Sequence, residues 1–83
     1  MLNEEVRREL PDDAVVFNNY AYDNSIIGTT TDGRVVYSYE QMIEELAQEE
    51  GISREEARDW IEYNTIRALP YIDNAPVIVE SIL

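Results

Sequence analysis

Two stretches of the chain space their apolar and polar residues as amphipathic helices do. In the first stretch, Met42, Ile43 and Leu46 share one side of a helix that begins at residue 39. Ser38 is placed to cap this helix, and Gln41 completes the pattern of a capping box. We therefore predict a helix that packs one side on a core and exposes a glutamate-rich side to solvent.

The link to the second helix is short and carries its own signals. Gly51 is expected to end the first helix in the left-handed conformation, with Ile52 packing back on it in a Schellman motif. Ser53 and Glu56 form another capping box, which opens a helix that extends to about residue 69 and stops at Pro70. The apolar face of this helix is expected to carry Ala57, Trp60, Ile61, Asn64 and Ala68, with Tyr63 and Ile66 at its margin. Helices joined this closely predict a two-helix corner.

A hairpin precedes the helical pair. Residues 25–30 and 34–38 are β-type runs joined at Asp32 and Gly33, a pair that suits a two-residue type I′ turn. Gly28 interrupts the first run and predicts a bulge.

The two ends of the chain complete the pattern. Leu2, Val6 and Leu10 recur every four residues and predict a short N-terminal helix. A strand is expected at residues 14–17. Residues 77–83 are nearly free of polar side chains, which predicts a strand in the centre of the sheet.

These elements predict one α+β domain over residues 1–83. We expect a small antiparallel sheet, made of the hairpin and the C-terminal strand, packed against the two-helix corner, with the short helix at the N-terminus. An apolar fraction of 45% is sufficient for a compact core. The chain has no cysteine, so no disulfide can form. It shows no signal-peptide pattern and no apolar run of membrane-spanning length, so we expect a cytoplasmic protein.

Charge narrows the choice of partner. The chain has 18 acids, six arginines and neither lysine nor histidine, for a formal net charge of −12. Such a surface repels phosphate, which argues against direct binding to nucleic acid or to an anionic membrane. It favours a basic surface of another protein as the partner. The alternative is that the acidity serves only solubility.

Residues 45–61 have the outline of a DNA-reading helix-turn-helix, but their charge contradicts that function. A recognition helix presents cations and amides to base edges and phosphates. The second helix here presents Glu55, Glu56, Asp59 and Glu62 instead, and Arg54 and Arg58 are the only cations beside them. We therefore interpret the corner as structural.

The candidate site is the acidic side of the helical pair, where nine acids and two arginines fall between Glu40 and Glu62. Its predicted members are Glu40, Glu44, Glu45, Glu49, Glu55, Glu56, Asp59 and Glu62, joined by Tyr20 and Tyr22 from a predicted loop at residues 18–24. The alternative for the two tyrosines is a position over the edge of the core. Carboxylates spaced in this way imitate a phosphate array, which favours an inhibitor that mimics nucleic acid. Two alternatives stay open. One is a solvated helical face, and the other is a homo-oligomer, such as a homodimer, that uses tyrosines and an exposed sheet edge.

Catalysis is not expected. Without histidine, cysteine or lysine, the chain lacks the usual general base near neutral pH, the thiolate nucleophile and the Schiff-base amine. We predict a non-enzymatic protein with no cofactor and no metal. A metal-dependent hydrolase is the remaining enzyme hypothesis, and it requires carboxylates from different segments to converge on one pocket.

Three segments together resemble a known group of proteins. They are DGRVVYSYEQMIEEL at residues 32–46, EEGISREEARDWIEYNTIRALPY at residues 49–71, and APVIV at residues 75–79. Over about residues 14–79 the chain looks like a family of short, acidic, uncharacterised proteins carried by phages and mobile elements of Firmicutes. The resemblance implies a mobile-element context, where small acidic inhibitors of host defence are expected, and it brings no activity or site residue with it.

Overall fold

A three-stranded sheet forms one layer of the fold in the computed structural model, which describes residues 8–11 and 13–82. Strand β2 (Val35–Ser38) lies between β1 (Ile26–Thr29), which is antiparallel to it, and β3 (Val77–Val79), which is parallel to it. The α+β class is confirmed, but the sheet is mixed, so the prediction of an antiparallel sheet is wrong. The chain between β2 and β3 is a long helical crossover, which returns it in the same direction.

The prediction that the C-terminal run is the central strand is also wrong, because β3 lies at an edge and spans three residues. β2 occupies the centre, and its Val35 and Tyr37 side chains are fully buried. The Arg34 Nε donates a 2.6 Å hydrogen bond to the Ala75 carbonyl oxygen. This bond joins the start of β2 to the segment that leads into β3.

The hairpin of β1 and β2 is confirmed, and the pairing register shifts between Ile26 and Gly28, as expected of a bulge. Its turn differs from the prediction. Gly33 has a φ of 86°, whereas Asp32 has no positive φ, so a type I′ turn does not form. Instead, the Gly33 amide donates to the Thr30 carbonyl oxygen at 3.0 Å, and the Thr30 amide donates to the Arg34 carbonyl oxygen at 2.7 Å. These bonds close a loop one residue longer than predicted, with glycine in the left-handed position.

The two-helix corner is confirmed. Helix α1 (Tyr39–Glu50) and helix α2 (Arg54–Asn64) begin at or next to their predicted starts. The Ser38 hydroxyl oxygen accepts a 3.3 Å hydrogen bond from the Gln41 amide. The Gln41 side chain donates a hydrogen bond to Glu45. It does not accept one from the Ser38 amide, so only half of the first capping box forms.

The turn between α1 and α2 follows its sequence signals. Gly51 adopts φ 66° and ψ 36°, and the Ile52 amide donates a 3.1 Å hydrogen bond to the Ala47 carbonyl oxygen, as in a Schellman motif. The second capping box is complete, because the Ser53 and Glu56 side chains each accept from the backbone amide of the other residue.

Helix α2 ends earlier than predicted. After Asn64 the hydrogen bonds shorten to the 3₁₀ pattern, and a 3₁₀-helix, η2 (Ile66–Tyr71), continues past Pro70. Proline has no amide hydrogen to donate to the carbonyl four residues earlier, so the α-helical ladder cannot extend through it. The α-helix itself already ends at Asn64, before the proline.

Residues 14–17 pack against the core without forming the predicted strand. The Phe17 amide donates a 3.1 Å hydrogen bond to the Tyr37 hydroxyl oxygen, and the rings of these two residues lie 4.6 Å apart. The Phe17 amide thus has a side-chain hydroxyl as its hydrogen-bond acceptor, where a strand would have a backbone carbonyl of its neighbour.

The predicted loop at residues 18–24 is largely a 3₁₀-helix, η1 (Tyr20–Ser25), which packs against α1. The Asn19 Oδ1 caps it by accepting a 2.9 Å hydrogen bond from the Ala21 amide. The predicted N-terminal helix falls mostly on residues 1–7, outside the described residues. Its last apolar position, Leu10, packs against the core.

One apolar cluster joins the sheet, η1 and the two helices. Its buried members are Tyr22, Val35, Tyr37, Tyr39, Met42, Ile43, Leu46, Ala57 and Ile61. Within the described ranges, the helices are all too short or too polar to cross a membrane.

Candidate protein-binding surface

The polar sides of α1 and α2 carry the predicted acids. We call these eight carboxylates the acidic helical surface: Glu40, Glu44, Glu45, Glu49, Glu55, Glu56, Asp59 and Glu62. They are held by two amphipathic helices whose apolar sides are buried in the core, so their backbone positions are fixed by packing.

Two acids of this surface bridge the helices. Glu44 on α1 forms an ion pair with Arg54 on α2, and both side chains are partly exposed. Glu62 on α2 accepts a 2.6 Å hydrogen bond from the Tyr39 hydroxyl at the start of α1. These contacts join α1 to α2, and they use the carboxylates of Glu44 and Glu62 for interactions within the molecule.

Two further acids stabilise local structure. The Glu45 carboxylate accepts a 2.9 Å hydrogen bond from Asn24 in η1 and a 3.1 Å hydrogen bond from Gln41 in its own helix. Glu56 completes the capping box with Ser53 at the start of α2. The negative charge of Glu56 is also favourable where it lies, in the first turn of α2.

The remaining four acids are exposed: Glu40, Glu49, Glu55 and Asp59. The structure gives none of them a hydrogen bond or ion pair with another described residue. Their carboxylates are available to cations of another molecule.

The acids do not line a single groove. Glu45 and Glu49 border a depression of about 640 Å³ beside Asn18 and Asn24. Asp59 and Glu62 border another, of about 470 Å³, next to Arg67. The acidic helical surface therefore faces more than one direction, as expected for charges on helices that bury only one side.

The two tyrosines of the predicted site differ in accessibility. Tyr20 is 61% exposed and lies at the surface. Tyr22 is only 3% exposed, and burial raises the pKa of its hydroxyl above the ordinary value. Its ring packs edge-on against Phe17 at 6.0 Å. Tyr22 is therefore a core residue, and its predicted role in direct partner binding is wrong.

Sequence reasoning placed Trp60 in the core, whereas its side chain is 55% exposed. Ala57 and Ile61, which lie four residues apart, occupy the centre of the buried face of α2 and leave Trp60 at its margin. Asn64 and Ala68, also predicted on the buried face, are exposed. A helical projection centred on Ala57 and Ile61 places Trp60 at the margin of the buried face, but it does not account for the exposure of Asn64.

Trp60 lies in a groove of about 530 Å³ between α2, the C-terminal end of α1 and Asn19. We call it the Trp60 groove, and its lining residues are Asn19, Leu46, Glu50, Ile52, Glu56 and Trp60. Asn19 and Trp60 also border an adjoining depression of about 290 Å³ that reaches Phe17 and Ile72. An apolar floor with acids beside it thus opens next to the acidic helical surface.

No protein family, curated protein or solved structure matches this chain. The resemblance to acidic phage proteins accordingly stays a prediction.

The metal-dependent hydrolase requires several carboxylates to converge. Among the residues that the structure describes, no group of three acids is close enough together to hold a metal ion. That hypothesis receives no support from the described part of the chain.

Proposed function

We propose that this protein is a non-enzymatic, cytoplasmic binding module whose acidic helical surface engages a basic surface of another protein. The supporting observation is the imbalance of charge on the two helices, which together carry nine acids and two arginines. One of those arginines, Arg54, is already paired with Glu44. The exposed carboxylates that remain attract cationic surfaces and accelerate association with them.

Basic protein surfaces often serve to hold nucleic acid, so the partner class extends to nucleic-acid-binding proteins. An acidic module bound there occupies the place of the phosphates, which is the inhibitor role expected of a phage or mobile-element protein. Direct binding to nucleic acid is disfavoured by the same charge.

Affinity capture from a bacterial lysate at low salt, followed by elution with rising salt, tests this proposal. The test variant carries Glu40→Gln, Glu49→Gln, Glu55→Gln and Asp59→Asn. The matched control carries Glu9→Gln, Asp13→Asn, Asp73→Asn and Glu80→Gln, which are exposed acids outside the two helices. We expect the wild type and the control to retain the same basic proteins and the test variant to lose them.

Equal loss from both variants would show that net charge alone governs capture, and would contradict the proposal. Displacement of a captured protein by duplex DNA would add support for mimicry of nucleic acid.

A second candidate is self-association through the sheet. β1 is an edge strand, and Ile27 on it is exposed. Exposed edges pair readily with other strands. Sedimentation velocity at low and high salt distinguishes the candidates, because apolar self-association persists in salt and electrostatic binding weakens.

A further inference from the structure

The Trp60 groove owes its shape to the turn between the helices. The left-handed Gly51 and the hydrogen bond from Ile52 to Ala47 reverse the chain directly after α1. This reversal places Ile52 and Leu46 along the same groove as Trp60. The floor is therefore held by a helix cap rather than by a flexible loop.

The chemistry of the groove is divided between its floor and its rim. Trp60 and the partly buried Ile52 provide apolar surface above the buried Leu46. Tryptophan is one of the three residue types enriched at the energetic centres of protein interfaces. Glu50 is exposed and makes no hydrogen bond or ion pair with another described residue. Glu56 uses one carboxylate oxygen in the capping box and keeps the other available.

We infer that the Trp60 groove binds a segment of a partner protein in which an apolar side chain is flanked by lysine or arginine. The apolar side chain would cover the indole, and the flanking cations would lie near Glu50 and Glu56. This inference rests on the proposed function and assigns the contact to one place on the molecule.

Charge favours this occupant over others. A second copy of the chain would bring its own net charge of −12 toward an acidic rim, so close approach would be repulsive. Nucleic acid would be repelled for the same reason. A segment with an apolar side chain and flanking cations complements both the apolar floor and the acidic rim of the Trp60 groove.

Trp60 is the one tryptophan in the sequence, so its fluorescence reports directly on the groove. The probe is a synthetic amphipathic peptide of leucine and lysine, with leucines at helical spacing. A second peptide keeps the lysines and replaces each leucine with serine. We expect saturable binding and a blue shift of Trp60 emission with the first peptide, and weaker binding without a shift for the second.

Variants then locate the contact by calorimetry with the leucine–lysine peptide. Trp60→Ala should weaken binding about tenfold or more, whereas Tyr71→Ala, which removes an exposed aromatic outside the groove, should leave it unchanged. Glu50→Gln with Glu56→Gln should weaken binding more than Glu40→Gln with Glu55→Gln, although both pairs change the net charge equally. Glutamine at residue 56 preserves the capping box, so α2 keeps its start.

Equal affinity for the two peptides, or equal effects of the two charge pairs, would overturn the inference and leave binding through the wider acidic helical surface intact. Failure of both cationic peptides to bind would count against the proposed function as well.

Discussion

The hydroxyl of Tyr39 donates a 2.6 Å hydrogen bond to the carboxylate of Glu62, which joins the first residue of α1 to the last turn of α2. Tyr39 is buried and Glu62 is exposed, so the bond crosses the boundary between the core and the acidic helical surface. Burial is the main cause that raises the pKa of the Tyr39 hydroxyl above its ordinary value of 10.0, and the hydrogen bond to Glu62 is the second.

Substitution of Tyr39 by phenylalanine tests this bond. At neutral pH we expect Tyr39→Phe to lower the free energy of unfolding by about 1 kcal/mol, which is the usual net contribution of one hydrogen bond. The loss is no larger because the exposed Glu62 carboxylate bonds to water when the hydroxyl is removed. The folded protein holds the phenolic proton more tightly than the unfolded chain does. The stability linked to Tyr39 is therefore complete below about pH 10 and is lost as the pH rises above that value.

Urea denaturation at about pH 9 and about pH 11 measures this dependence. The wild type should lose about 1 kcal/mol more than Tyr39→Phe between these conditions. Tyr71→Phe, which alters an exposed tyrosine, is the control and should behave as the wild type does. Parallel losses in the wild type and Tyr39→Phe would contradict the assignment.

The ion pair between Glu44 and Arg54 links the same two helices at the other end of the corner. A double-mutant cycle with Glu44→Gln and Arg54→Gln should give a coupling energy of about 0.2 to 1 kcal/mol at low salt, because both side chains are partly exposed. High salt should reduce it. A coupling energy that is the same in low and high salt would mean that the pair does not act through charge.

Two glycines allow backbone strain to be separated from packing. Gly51 has a φ of 66°, whereas Gly28 has no positive φ, and a Cβ at either position would meet nothing within 4 Å. We expect Gly51→Ala to destabilise the fold by about 1 kcal/mol and Gly28→Ala to be near neutral. Thermal unfolding of both variants checks this, with Gly51→Asn as an intermediate case. Equal effects at the two positions would contradict a conformational origin.

Local signals in the sequence predicted the elements whose structure is locally determined. The caps at Ser38 and Ser53, the left-handed Gly51 and the bulge at Gly28 each depend on residues within one or two turns of the chain. The starts of α1 and α2 and the pairing of β1 with β2 follow from such short-range contacts, so a single sequence was sufficient to place them.

The pairing of β3 was not predictable in the same way. Val77 pairs with Val36 across a crossover of two helices, and no nearby residue specifies that direction. The Phe17 amide likewise bonds to the hydroxyl of Tyr37, so an apolar run that resembles a strand packs without a strand partner. The sequence identifies the acidic residues of the candidate site. Which of them form hydrogen bonds or ion pairs within the molecule depends on tertiary contacts, such as the hydrogen bond from Tyr39 to Glu62.

Adjacent residues in α2 provide the sharpest test of how the core is divided from the surface. Ile61 is 0% exposed, whereas Trp60 is 55% exposed, although both are large and apolar. Ile61→Ala removes buried methyl groups and leaves a cavity in the cluster, so we expect a loss of about 2 to 5 kcal/mol in the free energy of unfolding. Trp60→Ala should lose about 1 kcal/mol or less, because much of the indole is already in water.

Urea denaturation of the two variants measures the difference. Ile61→Val, which removes a single buried methyl group, should lose about 1 kcal/mol, less than Ile61→Ala. If Trp60→Ala were the more damaging change, the indole would belong to the core and the Trp60 groove would be filled from within. A folded Trp60→Ala variant, in contrast, leaves Leu46 and Ile52 in place and removes only the indole that a partner would contact. The stability measurement therefore decides whether a loss of peptide binding in Trp60→Ala reports on recognition or on folding.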